Sequence, residues 1–245
     1  MKELKEIQLS PRLANMKYCK TFQSKYFYDG KYEGETCGRD RQGIGAFYYK
    51  NGAKYEGEWL NDARSGKGRF YYREGEFYEG NWKDGKKWGK GIFYYDKKSF
   101  YQGEWANDMK EGFGAYHFKD GSRYSGNWHA DKQDGEGLLY YHNGDRYEGI
   151  WRNGKQEGKG ILYYRDGGKF VGVWENGMKK GQGLGKFSNG DRFEGEYLND
   201  YPHNGNLYHA NGDRYTGNLA KGYKYGYGIM IHTNGNEYKG NWEKD

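Results

Sequence analysis

Two cysteines, Cys19 and Cys37, are all that 245 residues contain. That is too few for a disulfide framework and is the usage of a reducing compartment. Long apolar runs are missing as well. No stretch reaches the roughly 18 apolar residues of a membrane span, and the first 20 residues hold no run long enough for a secretory signal. A soluble, intracellular protein is therefore expected. Pro occurs twice and apolar residues make up only 34%, which argues against an ordinary single-core domain. Charge of one sign is lacking too: 40 basic and 34 acidic residues leave a net +6, mildly basic and well mixed. No basic run has the length of a nucleic-acid tail. Low hydropathy by itself would suggest disorder, but 20% of the chain is aromatic, so the surface available for burial is mostly ring.

Gly and Tyr fill the space left by the missing residue types, with 43 and 28 copies. Average Gly usage is about 7%, so this chain carries more than twice the norm. These residues are ordered by a period. At ten places an aromatic is followed two positions later by Gly: Tyr32, Tyr55, Tyr78, Tyr101, Tyr124, Tyr147, Phe170, Phe193, Tyr215 and Tyr238. In eight of the ten, a further aromatic, usually Trp, stands two positions after the Gly. The spacing is 23 residues seven times, then 22, then 23. A fixed period of this length marks a stacked array of repeats rather than a globule with one site.

One unit, Tyr55 to Phe77, shows the construction. Tyr55, Gly57 and Trp59 share one parity; Gly66, Gly68, Phe70 and Tyr72 share another. Residues of like parity in a strand face one side. Each repeat is thus two short strands with aromatics and Gly inside and charge such as Glu56 and Glu58 outside, the half-buried antiparallel pattern. Turn signals separate the strands: Asn61-Asp62, Asp84-Gly85 and Asn153-Gly154 after the Trp slot, and Asn51-Gly52, Asp120-Gly121 and Asn143-Gly144 at repeat ends. Gly on the same face as large rings makes room for a ring to lie over bare backbone, although Gly otherwise weakens a strand. The expected fold is all-β, an elongated single-layer meander of antiparallel hairpins. At roughly 4.8 Å per strand, about twenty strands would give a twisted open rod about 95 Å long.

The unit Y-x-G-x-W followed by G-x-G-x-F/L-x-Y at this period closely resembles the MORN repeat (membrane occupation and recognition nexus). The resemblance covers about residues 22–245. It implies an open sheet of hairpins with a groove lined by the Tyr, Gly and Trp positions, and scaffolding in cytoskeletal, ciliary or membrane-contact structures. Residues 1–21 stand outside the array as an N-terminal extension, in which Leu4, Ile7, Leu9, Leu13 and Met16 are placed to cap the first hairpin or to meet a partner.

Departures from the pattern mark special places. The Trp slot holds Thr36, Tyr197 and Leu219, and Gly185 occupies the aromatic slot of a second strand. The eighth repeat is one residue short, with His203 where its first Gly belongs and Pro202 beside it, which reads as a kink or loosened hairpin near 198–206. The last repeat stops shortly after Trp242, before a second strand.

Two surfaces are candidates for binding. The groove face carries Tyr55, Trp59, Tyr78, Trp82, Tyr101, Trp105, Tyr124, Trp128, Tyr147, Trp151 and Trp174 by parity. These rings either form the core over glycine or leave part of the face open to a peptide or helix, since one layer has no second sheet against it. The outer face carries a second set of aromatics, Tyr48, Tyr71, Tyr94, Tyr140, Tyr163 and Tyr208, with His117 in the fourth repeat. Repeats five to seven add aliphatics there: Leu138, Ile150, Ile161, Val171, Val173 and Leu184. Leu138, Tyr140, Ile150, Ile161, Tyr163, Val171, Val173 and Leu184 form a candidate partner or self-association patch.

Signals of chemistry are weak. Glu33 and Glu35, Glu56 and Glu58, and Glu194 and Glu196 are repeat positions on an exposed strand face, not a convergent acid–base pair. The His and Cys spacings fit no zinc site, and no G-x-G-x-x-G opens a helix. The expectation is a non-enzymatic scaffold with no cofactor and no metal. Content limited to one repeat type is similar to the radial spoke head and related axonemal proteins of the family, which implies cytoplasm and cytoskeleton, a cilium or flagellum axoneme above all. The expected partners are other proteins of such a complex, another MORN protein, or a second copy of the chain. The alternative is a peripheral membrane module binding anionic lipid. Nucleic acid is not expected.

Overall fold

A computed structural model describes residues 21–243, and no helix occurs among them. Twenty strands form one antiparallel sheet that is not closed, each strand following its neighbour in chain order. The all-β meander expected from the period is what is found. The sheet falls into two compact units, Met1–Gly121 with Trp128–Asp131, and Ser122–Asn127 with Lys132–Asp245.

The first unit contains β1 (Thr21–Phe27), β2 (Gly30–Cys37), β3 (Asp40–Tyr49), β4 (Lys54–Leu60), β5 (Ala63–Arg73), β6 (Glu76–Lys83), β7 (Lys86–Tyr94), β8 (Phe100–Ala106) and β9 (Met109–His117). β10 (Arg123–His129) follows. The second unit then holds β11 (Lys132–Tyr140), β12 (Arg146–Arg152), β13 (Lys155–Tyr163), β14 (Lys169–Glu175) and β15 (Met178–Lys186). It ends with β16 (Arg192–Leu198), β17 (Tyr201–Tyr208), β18 (Arg214–Ala220), β19 (Tyr223–Ile231) and β20 (Glu237–Trp242). Even-numbered strands carry the aromatic-x-Gly motif, mostly with Trp two positions on, and odd-numbered strands other than β1 and β17 carry Gly-x-Gly.

The turns follow the residues at their tips. After the Trp slot both tip residues have positive φ, as at Asn61 (48°) and Asp62 (65°) or Asn153 (50°) and Gly154 (81°), the primed geometry that matches strand twist. At repeat ends only Gly is left-handed. Gly52 (φ 86°) donates to the Tyr49 carbonyl at 3.0 Å, and Asn51 Oδ1 accepts from the Ala53 amide at 3.1 Å. Both edges carry ladders from repeat to repeat. The Asp62 amide donates to Arg41 O at 3.2 Å and the Gly154 amide to Gln133 O at 2.9 Å. At the other edge, the Arg165 amide donates to Asp145 Oδ1 at 2.8 Å and the Ala210 amide to Asp191 Oδ1 at 2.9 Å.

The two glycines of Gly-x-Gly do different work. The second lies in register with the glycine of the preceding strand, as Gly57 with Gly68, and the Tyr55 ring covers the pair. A Cβ on Gly68 would sit 2.2 Å from the Tyr55 hydroxyl. The first glycine, Gly66, makes room not for a ring but for the Glu58 carboxylate. It takes φ 61° inside a β-bulge where the odd strand holds two extra residues.

That bulge explains the irregular eighth repeat. Glu196 pairs with Asn204 and Tyr197 with Pro202, so His203 alone is the extra residue. The one-residue deletion is absorbed by a smaller bulge, and His203 needs no left-handed backbone. The hairpin stays paired to its tip at Leu198 and Tyr201, which corrects the expectation of a loosened hairpin. Two further readings change. Glu58 is not exposed but fully buried, because its carboxylate folds into the bulge and accepts the Lys67 amide at 2.9 Å. Cys37 is disulfide-bonded rather than a free thiol. Cys19 and the cap positions Leu4, Ile7, Leu9, Leu13 and Met16 lie outside the described residues.

Candidate functional site

In the repeats that keep the full motif, the tyrosine is enclosed by the tryptophans of its own and the next repeat, as for Tyr55, Tyr78, Tyr101 and Tyr147. The Tyr55 ring meets Trp59 at 5.1 Å and 90° and Trp82 at 5.3 Å and 83°. In the second unit Tyr147 meets Trp151 at 5.4 Å and Trp174 at 5.0 Å, again edge to face. Such pairs add about 0.5–1.5 kcal/mol beyond area burial. Their polar tips are used within the fold. Tyr55 Oη donates to Glu58 O at 3.0 Å and Trp82 Nε1 to Gly68 O at 3.1 Å. Burial pushes the phenols of Tyr32, Tyr78, Tyr101, Tyr124 and Tyr147 well above their usual range. All eleven residues assigned to the groove (Tyr55, Trp59, Tyr78, Trp82, Tyr101, Trp105, Tyr124, Trp128, Tyr147, Trp151, Trp174) are buried, none more than 6% exposed. They are the core.

Above these rings lie cations that parity did not bring forward. Arg41 stacks on Trp59 at 4.3 Å, Arg64 on Trp82 at 4.4 Å, Lys87 on Trp105 at 4.3 Å and Lys110 on Trp128 at 4.9 Å. Burial pushes the ammonium groups of Lys87 and Lys110 down, while Asp108 and Asp131 beside Lys87, and Asp131 beside Lys110, act the other way. The corresponding positions of the second unit begin with Gln133 and Gln156, and Gln156 Nε2 donates to the Tyr141 hydroxyl at 2.7 Å. The signal was present in the sequence, because Arg41, Arg64, Lys87 and Lys110 recur every 23 residues.

The outer face is ordered in rows that cross the strands. In the first unit one row reads Tyr71, Phe77, Tyr94, Phe100, His117. Its rings follow one another at 5.9, 4.5, 5.5 and 4.2 Å. The row beside it reads Arg69, Glu79, Ile92, Gln102, Ala115, and Arg69 pairs with Glu79 at 2.6 Å. In the second unit the equivalent rows read Tyr140, Arg146, Tyr163, Lys169, Lys186, Arg192, Tyr208, Arg214, and Leu138, Glu148, Ile161, Val171, Leu184, Glu194. Tyr140, Ile150, Val171, Val173 and Leu184 are 36–45% exposed. Leu138, Ile161 and Tyr163 are half-buried. Arg146 lies over Tyr163 at 4.1 Å and Arg192 over Tyr208 at 4.5 Å. The structure thus brings the eight patch residues onto one face and sets beside them a basic row that the sequence reading missed. Its signal is the residue just before the repeat aromatic: Arg146, Lys169, Arg192 and Arg214.

No group of three or more His, Cys, Asp or Glu able to hold a metal ion occurs among the described residues. Glu194 and Glu196 are exposed on the outer face.

The chain matches the family model described as MORN repeat in six consecutive copies, residues 55–77, 78–99, 101–123, 124–146, 147–169 and 170–192. No curated protein matches it. Among solved structures it is similar to the TCP10 domain of Danio rerio CPAP in complex with a peptide of Danio rerio STIL. Identity is 12%, coverage is 91% of this chain and 100% of that one, and the TM-score is 0.44. The SAS-4 (dCPAP) TCP domain of Drosophila melanogaster in complex with a proline-rich motif of Ana2 is 12% identical, with coverage of 96% and 98% and a TM-score of 0.29. Virginiamycin B lyase from Staphylococcus aureus with quinupristin is 9% identical, with coverage of 91% and 89% and a TM-score of 0.16. Likeness at this level carries no argument about function.

Proposed function

The chain belongs to the MORN-repeat family, and on that premise we propose that it is a non-enzymatic structural scaffold that binds other proteins. Its setting in this reading is the ciliary axoneme, in the manner of a radial spoke head protein, or another cytoskeletal assembly. One observation carries the interaction role. The repeat rings are spent on the core, while the outer face of the second unit leaves Ile150, Val171, Val173 and Leu184 exposed beside a row of cations. Exposed apolar clusters of this kind mark contact surfaces.

The test is affinity purification of the tagged chain from its native cells, with mass spectrometry of what accompanies it and microscopy of where it resides. Axonemal or other cytoskeletal proteins in fixed ratio are expected, as is location on a filament system. Ile161→Lys with Val171→Lys is expected to remove the association and leave the fold intact. A diffuse chain that brings down no protein in fixed ratio would overturn the proposal.

A second reading, attachment to anionic lipid, is favoured by the row Arg146, Lys169, Lys186, Arg192. Each cation near an anionic leaflet is worth about 1 kcal/mol. Vesicle flotation separates the two readings, because electrostatic attachment collapses as salt rises.

A further inference from the structure

We propose that the outer face of the second unit docks an acidic amphipathic helix of a partner protein, with its apolar stripe on Ile161, Val171 and Leu184 and its carboxylates on the neighbouring basic row. The inference rests on the reading of the chain as a protein-binding scaffold and names the chemistry of what it binds.

The apolar part is defined by register. Ile161 stands opposite Val171, and Val171 opposite Leu184, so three aliphatic side chains sit on three successive strands. Ile150 and Val173, two positions along their strands from Glu148 and Val171, widen the surface on one side. On the other side runs the basic row, whose five cations are Arg146, Lys169, Lys186, Arg192 and Arg214. Among the described residues, none of the five has a carboxylate within ion-pairing distance, although Lys31, Lys54 and Arg69 on the outer face of the first unit all do. Arg146 is held over the Tyr163 ring at 4.1 Å, which restrains its guanidinium before a carboxylate arrives.

The dimensions suit a helix laid across the strands. Strands are spaced about 4.8 Å apart and a helix rises about 5.4 Å per turn, so roughly one turn falls on each strand. Residues two apart on a strand are separated by about 6.7 Å, the offset between an apolar stripe and its flanking carboxylates. An anionic membrane fits less well. Glu148 and Glu194 close the aliphatic row at both ends, and a lipid surface would bring anionic headgroups against both. A helix of about three turns spans the strands between them, where Lys169 and Lys186 face its carboxylates and Arg146 reaches in over Tyr163.

The probe is a synthetic fluorescent helical peptide with Leu on one stripe and Glu on the adjacent one, set against the same peptide with Gln in place of Glu. The full chain is expected to bind the Glu peptide about tenfold or more tighter than the Gln peptide, and to lose that margin in high salt. Lys169→Glu with Lys186→Glu, and separately Val171→Ser with Leu184→Ser, are each expected to weaken binding about tenfold or more. Lys67→Glu on the first unit serves as the control and leaves it unchanged. Near-ultraviolet circular dichroism establishes that each variant is folded. Equal binding of the two peptides, or folded variants that bind like the parent, would overturn the proposal. So would capture by phosphatidylserine vesicles, lost in the same variants, in place of capture by the peptide. If the peptide fails while the chain still purifies with native proteins in fixed ratio, the helix site falls and the scaffold reading stands. If no protein accompanies the chain at all, the scaffold reading itself has failed.

Discussion

The two units are built from one motif and differ most where the motif leaves a choice. In the first, outer-face cations are neutralised by neighbouring carboxylates, and a ladder of stacked rings runs from Tyr71 to His117. In the second, the same rows carry unpaired cations and aliphatics. The bulge differs as well. Glu58 fills it from the outer face in the first unit, whereas Ile150 leaves it open in the second, with its Cβ 4.0 Å from a Cβ built on Gly158. On the inner face, Arg and Lys lie on tryptophan in the first unit, while the second begins with Gln133 and Gln156 and returns to lysine at Lys179 and Lys224, the latter over Trp242 at 5.1 Å. The lesson is that inner Tyr, Gly and Trp positions are fixed by packing, while the positions between them are free to specialise.

The largest expected effect divides the units by pH. In the first, burial raises Tyr32, Tyr55, Tyr78, Tyr95 and Tyr101 well above the usual phenol and Tyr72 to about 12, with Tyr49 and Tyr116 also raised. In the second, Tyr124, Tyr141, Tyr147 and Tyr197 are raised in the same way. Above pH 10 the unfolded chain loses phenolic protons that the folded chain keeps, so stability falls as pH rises. Each such group contributes about 1.4 kcal/mol per pH unit. Lys87 and Lys110 act oppositely, because their lowered values make stability rise with pH up to the ordinary lysine range. Two lysines do not offset eight tyrosines. Titration should therefore give a cooperative burst of tyrosinate absorbance, with proteolytic cleavage appearing first in the first unit. Cleavage first in the second would break the comparison.

A smaller effect tests the bulge. Gly66 and Gly158 have nearly the same φ, 61° and 63°. Alanine at either should cost about 1–2 kcal/mol of left-handed strain. At Gly66 the new Cβ would also stand 2.3 Å from the Glu58 carboxylate, which cannot withdraw without releasing the Lys67 amide. Gly66→Ala should thus cost about 1–3 kcal/mol more than Gly158→Ala, read from urea unfolding. Equal costs would mean that the buried carboxylate yields freely.

Two finer tests concern polar tips. Trp82 Nε1 has a carbonyl partner, whereas Trp174 Nε1 is buried without one. Trp82→Phe should be about 1 kcal/mol more damaging than Trp174→Phe, since both lose similar ring area and only the first loses a hydrogen bond. Smallest is a gain. Phe170 occupies a position where most repeats use a tyrosine hydroxyl bonded three residues on. Phe170→Tyr should add about 0.5–1 kcal/mol, seen as a raised urea midpoint. A loss there would show that Tyr197, 4.7 Å away, has taken the space.

Much of this was legible in the residues. Parity placed Tyr55, Gly57 and Trp59 on one face, and Asn-Asp and Asn-Gly pairs located the turns. What parity could not show was the bulge, because an extra pair of residues resets the register within a strand. For that reason the first glycine of Gly-x-Gly was read as making room for a ring like the second, Glu58 as exposed, and His203 as a defect. The cations on tryptophan and the basic outer row went unnoticed for another reason. A mixed charge count hides order that appears only when strands are laid side by side.

The sequence by itself determined the strands, their two faces, their turns and the period at which rings meet glycine, since all of these depend on residues within one repeat. Only the tertiary structure decided that a single layer buries its own aromatic face. Tyr55, Tyr78, Tyr101 and Tyr147 are each closed over by tryptophans of their own repeat and the next, an enclosure that arises between neighbours and is written in no repeat alone.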